Sequence, residues 1–238
     1  MQGDVTDACA QVEFLAIRHA NEPLWSNRYR RQHRVGSLRR MRSVLALAFV
    51  VGSFGIVRVH ASSSGPPAGF TGAPVGAGHD AESTCAQCHN TYPLDPDDNG
   101  KVELLGVPER YVAGQRYRLT FRVSHAEATR WGFQLTAIVK STNTGAGDFA
   151  PKAGDTSTQC VAAGERTYIE HGPAGRGATG IGHLKSYEWE FDWIAPPAEA
   201  GEVVFYGLGN AANGDGSEAG DRIYGPAGKA LARSVPQG

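Results

Sequence analysis

Cys85, Cys88 and His89 are the residues whose types and spacing could support chemistry, because they form the run Cys-Ala-Gln-Cys-His. The C-x-x-C-H pattern is the attachment signal of c-type haem. Two thiols three residues apart can each add to a vinyl group on one edge of the porphyrin. The histidine that follows is then held beside the iron as the proximal axial ligand. The sequence therefore predicts one covalent haem c, attached through Cys85 and Cys88 and ligated by His89.

Other chemistries for the same cysteine pair are a redox dithiol, a Cys85–Cys88 disulfide or half of a zinc site. A zinc site would need a second pair of ligands, and the only cysteine further along the chain is Cys160. Cys160 is then the odd thiol of the mature chain, either buried or paired with another molecule.

The candidates for the sixth ligand of the iron can be reduced by elimination. Met1 and Met41 are the two methionines, and both would be lost with a precursor segment, which excludes a thioether ligand. The alternatives are an open position or one of four histidines: His79, His125, His171 and His183. His171 follows an apparent strand and opens a glycine-rich loop, so we take it as the candidate distal ligand, with His183 and His125 as fallbacks. His79 lies six residues before Cys85, which would strain it as a distal ligand.

Residues 41–61 have the pattern of a secretory signal peptide. Arginines flank Met41, an apolar run follows from residue 44, and the segment ends in Val-His-Ala at Ala61. We expect cleavage after Ala61 and a periplasmic or extracellular location, the alternative being an uncleaved anchor. Residues 1–40 precede this signal and its own methionine. We interpret them as an upstream extension from a start codon assigned too early, the alternative being a basic targeting arm.

Charge and composition exclude several classes of protein. The formal net charge is -1, and after residue 61 there remain 14 basic and 20 acidic residues, a difference of −6. A nucleic-acid binder is therefore not expected, since such proteins carry a basic face. With 41% hydrophobic and 20% charged residues, the chain is neither disordered nor a multi-span membrane protein, and no span is expected in the mature chain.

The distribution of glycine and proline divides the mature chain into two parts. Their density over residues 65–84 excludes a regular helix or strand, so residues 62–100 are predicted to be an irregular haem-binding arm. Residues 101–238 are instead rich in strand patterns. Residues 116–124 and 186–194 alternate between apolar and charged side chains with a period of two, as half-buried strands do.

Further strands are predicted at residues 131–139, 202–208, 102–105, 166–170 and 221–224. Some seven strands joined by turn-rich links, with no convincing amphipathic helix, predict an all-β fold, an antiparallel β-sandwich. The aromatic face of residues 186–194 is expected to pack in the core, and the arginine row of residues 116–122 to be a solvated sheet face rather than a dock for an acidic partner. Residues 209–221 crowd Asn, Asp and Gly, which suits hairpin turns or, less well, a calcium site.

A family resemblance rests on motifs spread over residues 65–225: residues 69–74, 85–89, 168–171, 189–196, 205–215 and 220–224. Together they resemble the bacterial reelin-domain-like family called choice-of-anchor V. The resemblance implies an exported, immunoglobulin-like β-sandwich preceded by a C-x-x-C-H segment, and it favours His171 as distal ligand. Members often carry a C-terminal anchor, whereas this chain ends in Pro-Gln-Gly, so surface anchoring is not expected.

These observations predict an exported monohaem c-type cytochrome that transfers one electron to a partner protein. One competing class is a non-catalytic binding module whose haem is structural or senses a gas at an open sixth position. Another is an adhesion-type sandwich without haem. An enzyme is not expected, because no nucleophile and base are grouped in the sequence; peroxidase-like activity would need an open sixth position.

Overall fold

A computed structural model describes residues 64–76, 78, 80–172, 179–226 and 228–238. The predicted signal peptide, the upstream extension and His79 lie outside these residues. The described strands are β1 (Gly100–Leu105), β2 (Arg110–Tyr111), β3 (Arg116–His125), β4 (Arg130–Val139), β5 (Asp148–Pro151), β6 (Thr158–Ala163), β7 (Arg166–His171), β8 (Lys185–Ile194), β9 (Val203–Ala212), β10 (Arg222–Tyr224) and β11 (Ala232–Pro236). Two 3₁₀ turns, Cys85–Gln87 and Ala198–Ala200, are the helical elements of this part of the chain.

The strands form two sheets that pack face to face. The smaller sheet has the order β1-β3-β8-β5, and the larger has the order β2-β11-β9-β4-β7-β6, with β10 paired to β9. Among the described pairings only β2 with β11 is parallel. The predicted all-β sandwich is therefore confirmed, with a short parallel pair at one edge of the larger sheet.

Aromatic residues from both sheets make the core between them. Trp189, Phe191 and Trp193 of β8 are fully buried, so the aromatic face of this strand is core rather than a ligand platform, as expected. Phe133 of β4 stacks on Phe121 of β3 with ring centroids 4.7 Å apart, and the rings of Phe133 and Trp189 are 4.6 Å apart. These contacts join the two sheets, since β3 and β8 belong to one and β4 to the other.

The arginine row on the outer face of the smaller sheet is paired with the acidic row of β8. Arg118 Nε lies 2.5 Å from Asp192 Oδ1, and Arg122 Nε lies 2.6 Å from Glu188 Oε1. The register of β3 and β8 places each of these pairs directly opposite across the strands. This face is therefore balanced in charge by its own residues.

Strand β4 is buried on both faces, although its sequence alternates. Gln134 and Thr136 point away from the core yet are fully buried. The reason is that residues 65–89 cover the outer face of the larger sheet. Gln134 Nε2 donates to the carbonyl of Pro67 at 2.9 Å, and the Phe70 amide donates to Gln134 Oε1 at 2.7 Å. Among the described residues, no helix is both long and apolar enough to cross a membrane.

Candidate functional site

The C-x-x-C-H run forms a tight turn on the outer face of the larger sheet. Thr84 precedes the 3₁₀ turn, and the amides of Cys88 and His89 both bond to the carbonyl of Cys85, at 3.3 and 3.1 Å. Cys85 and Cys88 are thiols, with no disulfide between them. Because the chain curls around the Cys85 carbonyl, both sulfur-bearing side chains and the imidazole line one cavity.

This cavity lies between the turn and the larger sheet. Counted together with the solvent space at its open mouth, it has a volume of about 1050 Å³. Two cross-strand pairs of β4 and β9, Arg130 with Ala212 and Gly132 with Asn210, make its floor. Arg130 is the only lysine or arginine among the described residues that line it.

His171 lines the same cavity from the end of β7. Its side chain is buried, and its Nδ1 lies 3.2 Å from the amide nitrogen and 3.3 Å from the carbonyl oxygen of Phe133. A proton on Nδ1 would be donated to the carbonyl and leave a lone pair on Nε2, whereas a lone pair on Nδ1 would accept from the amide and put the proton on Nε2. The site accommodates both tautomers, and only the first can ligate a metal through Nε2.

Gly132 makes room for the His171 ring. A Cβ atom at this position would lie 3.1 Å from His171 Cε1 and 3.2 Å from Nδ1, tighter than nearly all real Cβ contacts. A larger residue at position 132 would therefore crowd the ring, which would have to shift by a few tenths of an ångström.

The two fallback histidines are not part of the cavity lining. His125 ends β3 beside the ring of Tyr224, with centroids 5.9 Å apart, and its burial lowers its pKa. His183 packs on Tyr187 with ring centroids 5.0 Å apart. Of the three candidate histidines that the structure describes, it therefore brings only His171 together with Cys85, Cys88 and His89.

His89 is held by a buried carboxylate that the sequence did not reveal as its partner. His89 Nδ1 lies 2.8 Å from Asp221 Oδ2. The Asn210 amide nitrogen sits beside this contact, 3.3 Å from both Nδ1 and Asp221 Oδ2 and 3.5 Å from His89 Nε2. Asp221 lies 132 residues from His89 in the chain, and neither the Asn-, Asp- and Gly-rich composition of its loop nor the strand predicted at residues 221–224 linked it to His89.

Desolvation raises the pKa of two groups next to the cavity, Cys85 and Glu170. Desolvation raises the pKa of the Cys85 thiol to about 12, and the nearby Cys88 and Glu170 add to the rise. Burial also raises the pKa of Glu170 to about 7, although Gln134 and Gln159 donate to its carboxylate at 2.7 and 2.8 Å. The sulfur of Cys85 faces the Phe70 carbonyl at 3.7 Å. The sheet beneath the cysteine turn is therefore both polar and buried.

A buried ion pair fixes the arm upstream of the cysteines. Arg166 Nη1 lies 2.6 Å from Glu82 Oε1, with the two side chains 0% and 4% exposed. The Tyr168 hydroxyl donates to the same oxygen at 2.7 Å, and Thr71 donates to the other oxygen through its hydroxyl. Arg166 also donates to the Pro74 carbonyl at 2.7 Å. We call this set of contacts the Glu82 clip.

Two further predictions from the sequence concern a calcium site at residues 209–221 and an odd thiol at Cys160. Among the described residues no group of three or more His, Cys, Asp or Glu is arranged to hold a metal ion, and the Asp215 carboxylate accepts from the Ser217 amide and hydroxyl in a turn of its own loop. A calcium site therefore has no structural support beyond the composition. The expectation of an odd thiol at Cys160 is wrong, because Cys160 is disulfide-bonded.

Comparison with solved structures finds reeler domains. A crystal structure of the human F-spondin reeler domain is 21% identical and covers 58% of this chain and 89% of its own, with a TM-score of 0.37. The Reelin-N domain of F-spondin is 19% identical and covers 64% of this chain and 97% of its own, with a TM-score of 0.40. No family model and no curated protein matches the chain. Because both TM-scores are below 0.5, no conclusion is drawn from these likenesses.

Proposed function

We propose that this chain is an exported monohaem c-type cytochrome that passes single electrons to a partner protein outside the cytoplasm. The observation that carries the proposal is one cavity lined by Cys85, Cys88, His89 and His171. When bound there, haem would supply a reversible one-electron couple at iron. The proposal rests on these four side chains and not on a nucleophile paired with a base, so we favour electron transfer over catalysis.

The residues present fit a haem in their chemistry. Cys85 and Cys88 would form the two thioether bonds, and His89 would present Nε2 because its Nδ1 faces Asp221. Haem also carries two propionates, and Arg130 offers a guanidinium from the cavity floor that matches a carboxylate. The glycine at position 132 leaves the floor open beneath the His171 ring.

The test of haem attachment is expression with a signal peptide in a host that matures c-type cytochromes. We expect a mass increase of one haem and a pyridine haemochrome spectrum of the thioether-linked type. The Cys85→Ala/Cys88→Ala double variant is the matched control and should show neither. If the wild-type chain shows neither, the cytochrome proposal is refuted and a haem-free adhesion or binding module is favoured.

The role of His171 is tested by the ferric spectrum. If His171 ligates iron, the wild-type protein is low-spin and His171→Ala becomes high-spin. The control is His183→Ala, because His183 lies outside the cavity lining and should leave the spectrum unchanged. A low-spin spectrum that survives the His171→Ala change would exclude His171 as ligand.

A second candidate function follows from the hydrogen bond between the Phe133 amide and His171 Nδ1, 3.2 Å long. That bond requires the tautomer with its proton on Nε2, which cannot ligate iron but can donate to a small ligand. The protein would then be a haem-based sensor or peroxidase-like protein with an open sixth position. A high-spin wild-type spectrum, with tight binding of carbon monoxide or cyanide that weakens in His171→Ala, would favour this function.

A further inference from the structure

Asp221 is a buried carboxylate whose one ion-pair partner in the described part of the chain is His89. Its side chain is 3% exposed, and its Oδ2 lies 2.8 Å from His89 Nδ1. A buried carboxylate is costly unless its charge is compensated by hydrogen bonds or an opposite charge. The contact with the imidazole is therefore a built feature of the fold.

The surrounding backbone and side chains fix the direction of this carboxylate. Asp221 Oδ1 accepts from the Asn213 amide at 3.1 Å, and Oδ2 lies 3.3 Å from the Asn210 amide nitrogen. Asp221 immediately precedes β10, in which Ile223 pairs with Asn210 of β9. The sheet thus directs Oδ2 of Asp221 towards His89.

We propose that Asp221 is a positioning residue that accepts the Nδ1 proton of His89, leaves Nε2 for the iron and stabilises ferric over ferrous haem. This inference rests on the proposed haem site. A histidine ligand that donates its second ring proton to a carboxylate is held in one orientation and becomes a stronger electron donor. A negative charge close to iron also favours the oxidation state with the higher positive charge, because the interaction is weakly screened in a buried site.

The first experiment is a redox titration of the purified holoprotein and two variants. Asp221→Asn removes the charge and keeps the shape, and Glu218→Gln is the matched control, because Glu218 also lines the cavity and has no hydrogen bond or ion pair with His89. We expect Asp221→Asn to raise the ferrous-to-ferric ratio at a fixed potential by at least about tenfold, or about 59 mV for one electron. Glu218→Gln should change the ratio by less than about threefold. Equal shifts in the two variants, or no shift in Asp221→Asn, would overturn the inference.

The second experiment uses the wild-type protein and does not depend on the folding of a variant. In ferrous holoprotein labelled with ¹⁵N-histidine, we expect the Nδ1 proton of His89 to give a separate NMR signal that exchanges slowly with water. A proton that exchanges at the rate of an exposed imidazole would overturn the inference. If Asp221→Asn yields no holoprotein, this NMR measurement on the wild-type protein tests the role of Asp221 by itself. A wild-type chain without bound haem would refute the proposed function itself, whereas haem-loaded protein with an unaltered potential in Asp221→Asn refutes only the role of Asp221.

Discussion

Removal of the Glu82 carboxylate should be among the most destabilising single changes outside the hydrophobic core. Glu82→Ala leaves the Arg166 guanidinium buried without a counter-charge, since Arg166 is 0% exposed and its other acceptors are backbone carbonyls. It also removes the acceptor of the Tyr168 hydroxyl, whose pKa is raised by burial and by the Glu82 carboxylate.

The expected magnitude follows from the burial of the pair. Breaking a buried ion pair from one side costs about 3–5 kcal/mol, because an uncompensated charge remains, whereas an exposed pair contributes about 0–1 kcal/mol. The matched control is Glu103→Ala, which removes the partner of Arg122 at 3.4 Å on the solvent-exposed face of the smaller sheet. We therefore expect a loss of about 3–5 kcal/mol for Glu82→Ala and less than about 1 kcal/mol for Glu103→Ala.

Urea unfolding followed by tryptophan fluorescence measures both losses, and limited proteolysis shows where the weakening occurs. Cleavage in Glu82→Ala should begin within residues 65–84, because the clip joins this segment to β7. In Glu82→Leu combined with Arg166→Met, no charge is left buried, so this double variant should lose less stability than Glu82→Ala. A loss below about 1 kcal/mol for Glu82→Ala would refute the reasoning.

Three further predictions concern groups around the cavity. Burial raises the pKa of the Glu170 carboxyl from 4.5 to about 7. The contribution of this group to stability is therefore complete below pH 4.5 and is lost as the pH rises through 7, by up to about 3 kcal/mol. Urea titrations at pH 5 and pH 8 should show this loss in the wild-type protein and a smaller loss in Glu170→Gln, and equal losses in the two proteins would contradict the prediction. Gly132→Ala should displace the His171 ring, because the added Cβ would lie 3.1 Å from Cε1, and the ferric spectrum should shift towards that of His171→Ala; an unchanged spectrum would count against the steric role of Gly132. In chain produced without haem, Cys85 should react with iodoacetamide at pH 8 far more slowly than in urea, because desolvation raises the pKa of its thiol to about 12. Equal rates, measured by peptide mass spectrometry, would contradict the raised pKa.

The fold was largely predictable where the sequence keeps a simple period. β3 and β8 alternate cleanly, and most of the side chains that the pattern placed in the core are buried, whereas Tyr117 and Tyr187 are only partly buried. The shortest strands carry no such signal: β2 has two residues, and β5 and β11 end in proline. Their pairing is decided by neighbouring strands rather than by their own composition, as tertiary context decides much of strand propensity.

The candidate site was predictable only in the part that is local in sequence. Cys85, Cys88 and His89 form one turn, so their spacing alone suggested a common role. The contact between His89 and Asp221 joins residues 132 positions apart, and the space that Gly132 leaves for His171 depends on the pairing of β4 with β7. The burial of Gln134 likewise depends on an irregular segment that covers it and is distant in the chain.

The position of the cysteine turn is set by the sheet rather than by the arm itself. The described residues within 65–84 form no helix and no strand beyond single bridges, and glycine-rich segments lose much conformational entropy when they are ordered. Two buried polar contacts compensate for this loss at either end of the turn, Glu82 with Arg166 before it and His89 with Asp221 after it. Both partners on the sheet side lie on or beside paired strands, so the turn is held at two points against a rigid surface. A segment with little regular structure can therefore still present two thiols and an imidazole to one cavity.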